Sequence, residues 1–279
     1  MGCLNAGAGF SHWFANIHLS GPCNRSCYFC IGQWMPGQDM NNNLNEPELK
    51  GYDNFLEECR SRGITEVNIT GTNTDPLMFA NLRELLQRLR ADGFTNIGIR
   101  TNAIIERRLL KVIPLIDKFS ISITTFDDLL YAKTMGQGHP PKLAGIIACA
   151  TEHNVAVKLN VVLCPETIHT IPHTIAKAAE LGIKKINFRE PYGQTNIGNP
   201  FQYYIADKMV FGNPCYVFNS VECTYWDVHY TEVESVNLYA DGHISVDYPV
   251  SLGHSDALGE VHDQTHFKQG RQATQWETA

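Results

Sequence analysis

The sequence predicts an α/β protein in which six βα units build a parallel sheet and a small C-terminal module of hairpin strands follows. Three observations carry this expectation. Six short, mostly apolar runs alternate with helical patterns from residue 14 to about residue 190, the order expected of βα units in a parallel sheet. From Pro191 the pattern changes to Gly, Asn, Pro and aromatic residues. The hydrophobic content, 43% of 279 residues, fills a sizeable core.

The strands are expected at residues 14–19, 66–70, 96–101, 119–124, 155–162 and 185–189. Each is short and mostly apolar, as strands covered on both faces are. After the first, Asn45, Glu46, Pro47 and Glu48 offer a cap, an early proline and a carboxylate for a helix carrying Leu49, Tyr52, Phe55, Leu56 and Cys59 on one stripe. After the second, Asp75-Pro76 is expected to open a helix with Leu82, Leu85, Leu86 and Leu89 inward, ended by Gly93. Weaker helical patterns cover 106–116, a stretch ending in 143–150, and 168–181 before Gly182. A hairpin is expected from strands 233–239 and 244–246 around Asp241-Gly242. The domain boundary therefore falls at 190, with a core of 1–190 and a module of 191–279.

Composition narrows the function classes. A formal charge of −7 has the wrong sign for a protein whose main partner is a phosphate backbone, so nucleic acid is demoted as a partner. No window approaches ~18 apolar residues, and the first ten lack the basic and apolar regions of a signal peptide. No membrane association is expected, and the cytoplasm is the default location. Gly2, Gly7 and Gly9 precede no strand-to-helix unit, and no Walker, G-x-S-x-G or H-E-x-x-H pattern occurs.

The chemistry lies in the cysteines. Three of nine, Cys23, Cys27 and Cys30, form a C-x3-C-x2-C run just after the first strand, too close together for a disulfide framework. Soft thiolates suit zinc or an iron–sulfur cluster. A structural zinc needs a fourth ligand, for which Cys3 or His18 would serve, whereas three cysteines on a four-iron cluster leave one iron open.

This spacing, with the aromatic Phe29 before the last cysteine, resembles the signature of the radical S-adenosylmethionine (SAM) superfamily, in the branch of molybdenum-cofactor and SPASM/twitch-type enzymes. The resemblance implies a partial (β/α)6 barrel, a [4Fe-4S] cluster held by Cys23, Cys27 and Cys30, and SAM chelated at the open iron. One electron then splits the sulfonium bond to a 5′-deoxyadenosyl radical. It further implies an external electron donor such as flavodoxin or ferredoxin.

Further segments carry the resemblance along the barrel. Thr70-Gly71-Thr72-Asn73-Thr74-Asp75-Pro76 resembles a Gly-Gly-Glu-Pro-like motif that contacts the SAM amino group. It departs at the glutamate, so Asn73 or Thr72 would supply the acceptor while Asp75 caps the next helix. Arg100-Thr101-Asn102-Ala103 resembles a third-strand T-N-G segment, with Ala103 for Gly. The segments around Ser122 and around Lys158-Leu159-Asn160 resemble the fourth and fifth strands, which assigns Ser122 and Asn160 to SAM, with Thr70 and Arg189. Glu190, after the sixth strand, is a candidate for substrate contact or a partner of Arg189, and each polar residue taken alone also reads as a cap or a satisfied core group.

The C-terminal part resembles a SPASM or twitch framework without its cluster cysteines, since only Cys215 and Cys223 remain there. It is expected to cover the barrel mouth without iron of its own. Cys223 is a candidate hydrogen donor to a substrate radical, or a small core hydrophobe as Cys59 and Cys149 are. The substrate implied is a small biosynthetic metabolite, a nucleoside or sugar derivative. The alternatives are a peptide undergoing modification and, in another class, a non-catalytic zinc or iron–sulfur binding module.

Overall fold

The computed structural model describes residues 12–33, 41–191, 197–227, 231 and 233–246, and a parallel sheet is its frame. Strands β1 (His12–Leu19), β2 (Glu66–Gly71), β3 (Asn96–Thr101), β4 (Lys118–Ile123), β5 (Ala156–Val162) and β6 (Lys185–Arg189) lie side by side in chain order, each parallel to the next. The six expected runs are these strands to within two residues at either end. The α/β class and the partial (β/α)6 barrel are borne out, and the sheet stays open.

Helices α1 (Tyr52–Ser61), α2 (Leu82–Ala91), α3 (Glu106–Val112), α4 (Asp128–Met135), α5 (Leu143–Glu152) and α6 (Ile171–Glu180) connect the strands. Alternation along each strand decides what lies between sheet and helices. Ile17, Val67, Ile69, Ile97, Ile99, Ile121 and Phe188 point to the helix side and are sealed in one core with Phe55, Leu86 and Leu89. Their neighbours on the opposite, concave face are polar, Gly98 excepted.

Two helix starts differ from the expectation. The cap signal at Asn45 is not used. Asn43 instead binds the end of β1, its side chain accepting from Ser20 N at 3.0 Å and its N–H donating to Ser20 O at 3.0 Å. That tie holds the chain in turns until Gly51, whose φ of 71° starts α1. Asp75-Pro76 opens a single 3-10 turn (Pro76–Met78) and α2 begins only at Leu82, while the Asp75 carboxylate caps that turn and also serves the end of β3.

The C-terminal part adds strands to both edges of the same sheet. Beyond β6 lie, in order, β9 (Val221–Tyr225), parallel to β6, then β8 (Asn213–Phe218), antiparallel to β9, and β7 (Lys208–Val210), antiparallel to β8. These three carried no sequence expectation, since their tight turn uses Asn219-Ser220 in the left-handed region, φ 50° and 62°, rather than the usual Asn-Gly. β10 (Val233–Leu238) pairs parallel with β1, and β11 (Ile244–Ser245) folds back on it, as the expected hairpin.

The β1–β10 seam is buried and polar. Asn237 Oδ1 accepts from Asn16 Nδ2 at 2.8 Å and from His18 Nε2 at 3.3 Å, and the His18 ring stacks on Tyr239 at 4.9 Å. Burial holds His18 down to about 4, the Asn237 bond opposing and the Arg100 charge adding to the effect. Unfolded His18 takes up a proton near its ordinary 6.5 while the folded ring stays neutral, so stability is lost as pH falls from that value toward 4, by up to about 3 kcal/mol. His18→Gln is expected to flatten this acid limb in urea unfolding between pH 7 and 4.5, and an unchanged limb would remove His18 as its source. Gly51→Ala is expected to cost about 1–3 kcal/mol, because the added Cβ would lie 2.5 Å from Gly242 O at a positive φ.

Candidate active site

Parallel α/β sheets place their chemistry at the C-terminal ends of the strands, and here the cysteine loop leaves the end of β1. It is pinned from three sides. From the end of β2, Asn73 Oδ1 accepts from Ser20 Oγ at 2.8 Å and Gly21 N at 3.0 Å. From the end of α4, Met135 O accepts from Ser26 N at 3.2 Å and Met135 Sδ lies 3.5 Å from Cys27 Sγ. From the end of β3, Asn102 Nδ2 donates to Asn24 Oδ1 at 2.6 Å. Within the loop, Cys30 N donates to Cys27 O at 3.1 Å, closing the turn that brings the last two cysteines together.

The donor set fits a metal cluster. Burial, then the charges of Cys30 and Cys23, push the Cys27 thiol well above its ordinary pKa, so three thiolates are stable side by side only with cationic metal among them. Among the described residues, no three His, Cys, Asp or Glu side chains are gathered for a single ion. Three soft thiolates without a fourth protein ligand suit a four-iron cluster with one open iron better than a closed zinc knot. His18, one fourth ligand for such a knot, is committed to Asn237, and Cys3 lies outside the described residues.

Asp75 is the joint behind this loop. It is buried at the end of β2 and accepts from Leu77 N at 2.9 Å, Thr101 Oγ1 at 2.9 Å and Asn102 N at 2.7 Å. Burial raises its pKa, and those donors together with the Arg25 charge oppose the rise. Asp75 thus fixes Asn102, and Asn102 fixes Asn24 between two cysteines. Gly71 is required at the same turn, since a Cβ there would lie 1.8 Å from Thr74 O. Ala103, where the resembled motif has Gly, holds φ 59°, with its N–H on Thr101 Oγ1 at 2.9 Å.

The remaining sequence candidates fall into two groups. Thr72 and Asn73 stand beside the cysteines, but the Thr72 hydroxyl has its proton within reach of Leu19 O and Asn73 Oδ1, each at 3.2 Å, and Asn73 Oδ1 accepts from Ser20 Oγ and Gly21 N, so both oxygens hold the loop. Phe29 is half-buried, edge-on to Tyr28 at 5.4 Å. Thr70, Ser122, Asn160 and Arg189 line the concave face, with Ser122 and Asn160 paired in register. The side chains of Thr70, Ser122 and Asn160 make no hydrogen bond among the described residues. Glu190, at the end of β6, accepts from Gly198 N. Cys223 is not brought to this face. It is buried on the helix side of β9, in register with Ile186 and 3.7 Å from Val221 O, and burial pushes its thiol up to about 12.

In the sequence Asp75 has the form of a helix cap, and Asn24, Arg100 and Lys158 carry no expected role there. The alternation of polar residues along β3 and β5 was the available signal for the last two, since Arg100 and Lys158 share a face with Asn102 and Asn160.

Residues 17–178 match the family model described as the radical SAM superfamily. The chain is 29% identical over 182 residues to a "Probable GTP 3',8-cyclase" of Methanopyrus kandleri, covering 63% of this chain and 56% of that protein. It is 26% identical over 179 residues to the protein of the same name from Saccharolobus solfataricus, covering 62% and 55%. The chain therefore spans about half the length of these relatives. Among solved structures, Streptococcus suis SuiB bound to S-adenosylmethionine superposes with a TM-score of 0.60 at 15% identity, over 93% of this chain and 67% of that one. SuiB bound to its precursor peptide SuiA gives 0.58 at 16% identity, over 88% and 61%. These structures share the fold.

Asn102→Ala is expected to cost about 1–3 kcal/mol in denaturant unfolding and to speed iron loss to a chelator after reconstitution. Unchanged iron retention would show that the Asn102–Asn24 bond does not hold the loop.

Proposed function

The chain belongs to the radical SAM superfamily, an enzyme family that uses a [4Fe-4S] cluster and SAM, and from that premise we propose that its substrate is a small biosynthetic metabolite, a nucleoside or sugar derivative. The observation that carries this reading is the concave face of the sheet. Along it, the side chains of Thr70, Ser122 and Asn160 make no hydrogen bond among the described residues, as expected of a pocket for a compact polar ligand. The relatives named as GTP cyclases act, by that name, on a nucleotide, which supports the same reading.

In this proposal Cys23, Cys27 and Cys30 hold the cluster, which when bound supplies the electron that cleaves SAM to methionine and a 5′-deoxyadenosyl radical. Asn73, Thr72 and Asn102 hold the cysteine loop in place for it. Thr70, Ser122, Asn160 and Arg189 orient SAM, and Glu190 borders the substrate. The segment from 191 onward acts as a degenerate SPASM-like module without a cluster, for Cys215 and Cys223 are both buried in its strands. An external donor such as flavodoxin or ferredoxin brings the electron.

Anaerobic reconstitution with iron and sulfide is expected to give about four irons per chain. Dithionite reduction with SAM should then yield 5′-deoxyadenosine in wild type and none above background in Cys27→Ala. A metabolite of the proposed class should accelerate that yield. Zinc in place of iron, with no cleavage, would overturn the assignment of these cysteines.

A further inference from the structure

Arg25 stands inside the cysteine loop, between Cys23 and Cys27, and is enclosed there. Its Nη1 donates to Asn24 O at 2.9 Å, and its guanidinium lies over the Tyr131 ring of α4, 5.8 Å from the ring centre. The turn that follows α4 closes on the same loop. Gln137 Nε2 donates to Asn24 O at 3.2 Å. Gly136 and Gly138 hold φ 89° and 72°, and a Cβ at Gly136 would lie 2.7 Å from Ser26 O, one at Gly138 3.2 Å from Arg25 Nη2. Two glycines thus bring the backbone of this turn against the guanidinium, which is held between turn, helix and loop.

The enclosure leaves donors unmet. Arg25 Nε and Asn24 Nδ2 are buried without a hydrogen-bond partner among the described residues. Buried donors are normally paired, and two left over beside three cysteines are what an anionic group held by those cysteines accepts from. The charge is unmet as well. Arg25 has no ion-pair partner among the described residues, while Asp75 spends its oxygens on Leu77, Thr101 and Asn102. The cation still acts at a distance, opposing the rise that burial imposes on Cys27, on Asp75 and on the Tyr131 hydroxyl.

We propose that Arg25 tunes the reduction of the cluster, its confined guanidinium between Cys23 and Cys27 favouring the form that has taken up the electron. The inference rests on the reading of Cys23, Cys27 and Cys30 as cluster ligands and adds the residue that sets how strong a reductant the enzyme needs. One electron from the external donor adds negative charge to a group already made negative by three thiolates, and no bond or proton need change. A fixed cation lowers the energy of the reduced form more than that of the oxidised one, and hydrogen bonds and charge around a cluster are the levers by which a protein sets its potential. Because the guanidinium is already in place, nothing has to reorganise when the electron arrives.

The test is a redox titration of the anaerobically reconstituted enzyme, followed by electron paramagnetic resonance of the reduced cluster, for wild type, Arg25→Gln, Arg25→Met and Arg25→Lys. Iron content is measured on every sample. The glutamine and methionine variants should keep their iron yet reduce at a more negative potential, the ratio of reduced to oxidised cluster at a fixed potential falling about tenfold, or about 59 mV for a one-electron couple. Arg25→Lys, which keeps the charge and loses the planar fork, should titrate close to wild type. The proposal is overturned if the uncharged variants titrate as wild type does, if Arg25→Lys shifts as far as they do, or if all three variants lose iron, which would make Arg25 a scaffold of the loop. Failure of wild type itself to hold about four irons would instead overturn the reading of the three cysteines on which the proposal rests.

Discussion

Everything in this chain depends on a period of two. A strand inside a layer of helices must offer apolar side chains to them at every other position, and β1 to β6 do so without a break in the core cluster. The intervening positions are then free of that demand. In this protein they carry Asn, Ser, Thr, His, Arg and Lys, so the same residues that build the sheet also furnish a polar concave surface. Stability and chemistry are divided between the two faces of each strand. Gly98 shows how tightly the concave face is used, since a Cβ there would lie 2.5 Å from Asn68 Oδ1 and 3.0 Å from the Lys118 stem.

The second dependence is the joint at Asp75. A carboxylate with several donors is a rigid connector between chain segments, because its two oxygens accept from different directions at once. Asp75 ties β2 to β3, Asn102 carries that tie to Asn24, and the loop of cysteines inherits its position from the sheet. The loop thus needs few contacts of its own.

Most of the fold was legible because each strand is a compact apolar run bounded by a helix, and both signals are local. The cysteine triplet was legible for the same reason, as three ligands within eight residues need no tertiary knowledge. What could not be read was long-range. Asp75 followed by Pro76 has the form of a cap, and only the approach of Thr101 and Asn102 shows its larger role. Asn45 likewise offered a cap that the tie between Asn43 and Ser20 overrides. β7 to β9 escaped notice because β7 is three residues long, and Asn219-Ser220 lacks the glycine that marks such turns. Cys223 looked available as a thiol, yet which face of its strand it occupies is decided by register with β6, which no local pattern encodes.

The pairing of β1 with β10 joins residues 221 positions apart, as between Asn16 and Asn237. A chain made from its N-terminus therefore releases β1 early and its outer neighbour last. Closing so long a loop is slow relative to forming the adjacent βα units. Until it closes, β1 presents an unpaired edge bearing Asn16 and His18, and such an edge is a template for pairing with other chains. The buried amides of the seam are polar enough to remain solvated during that wait. Late completion of one edge is thus built into the topology, with polarity along the seam as its safeguard against premature association.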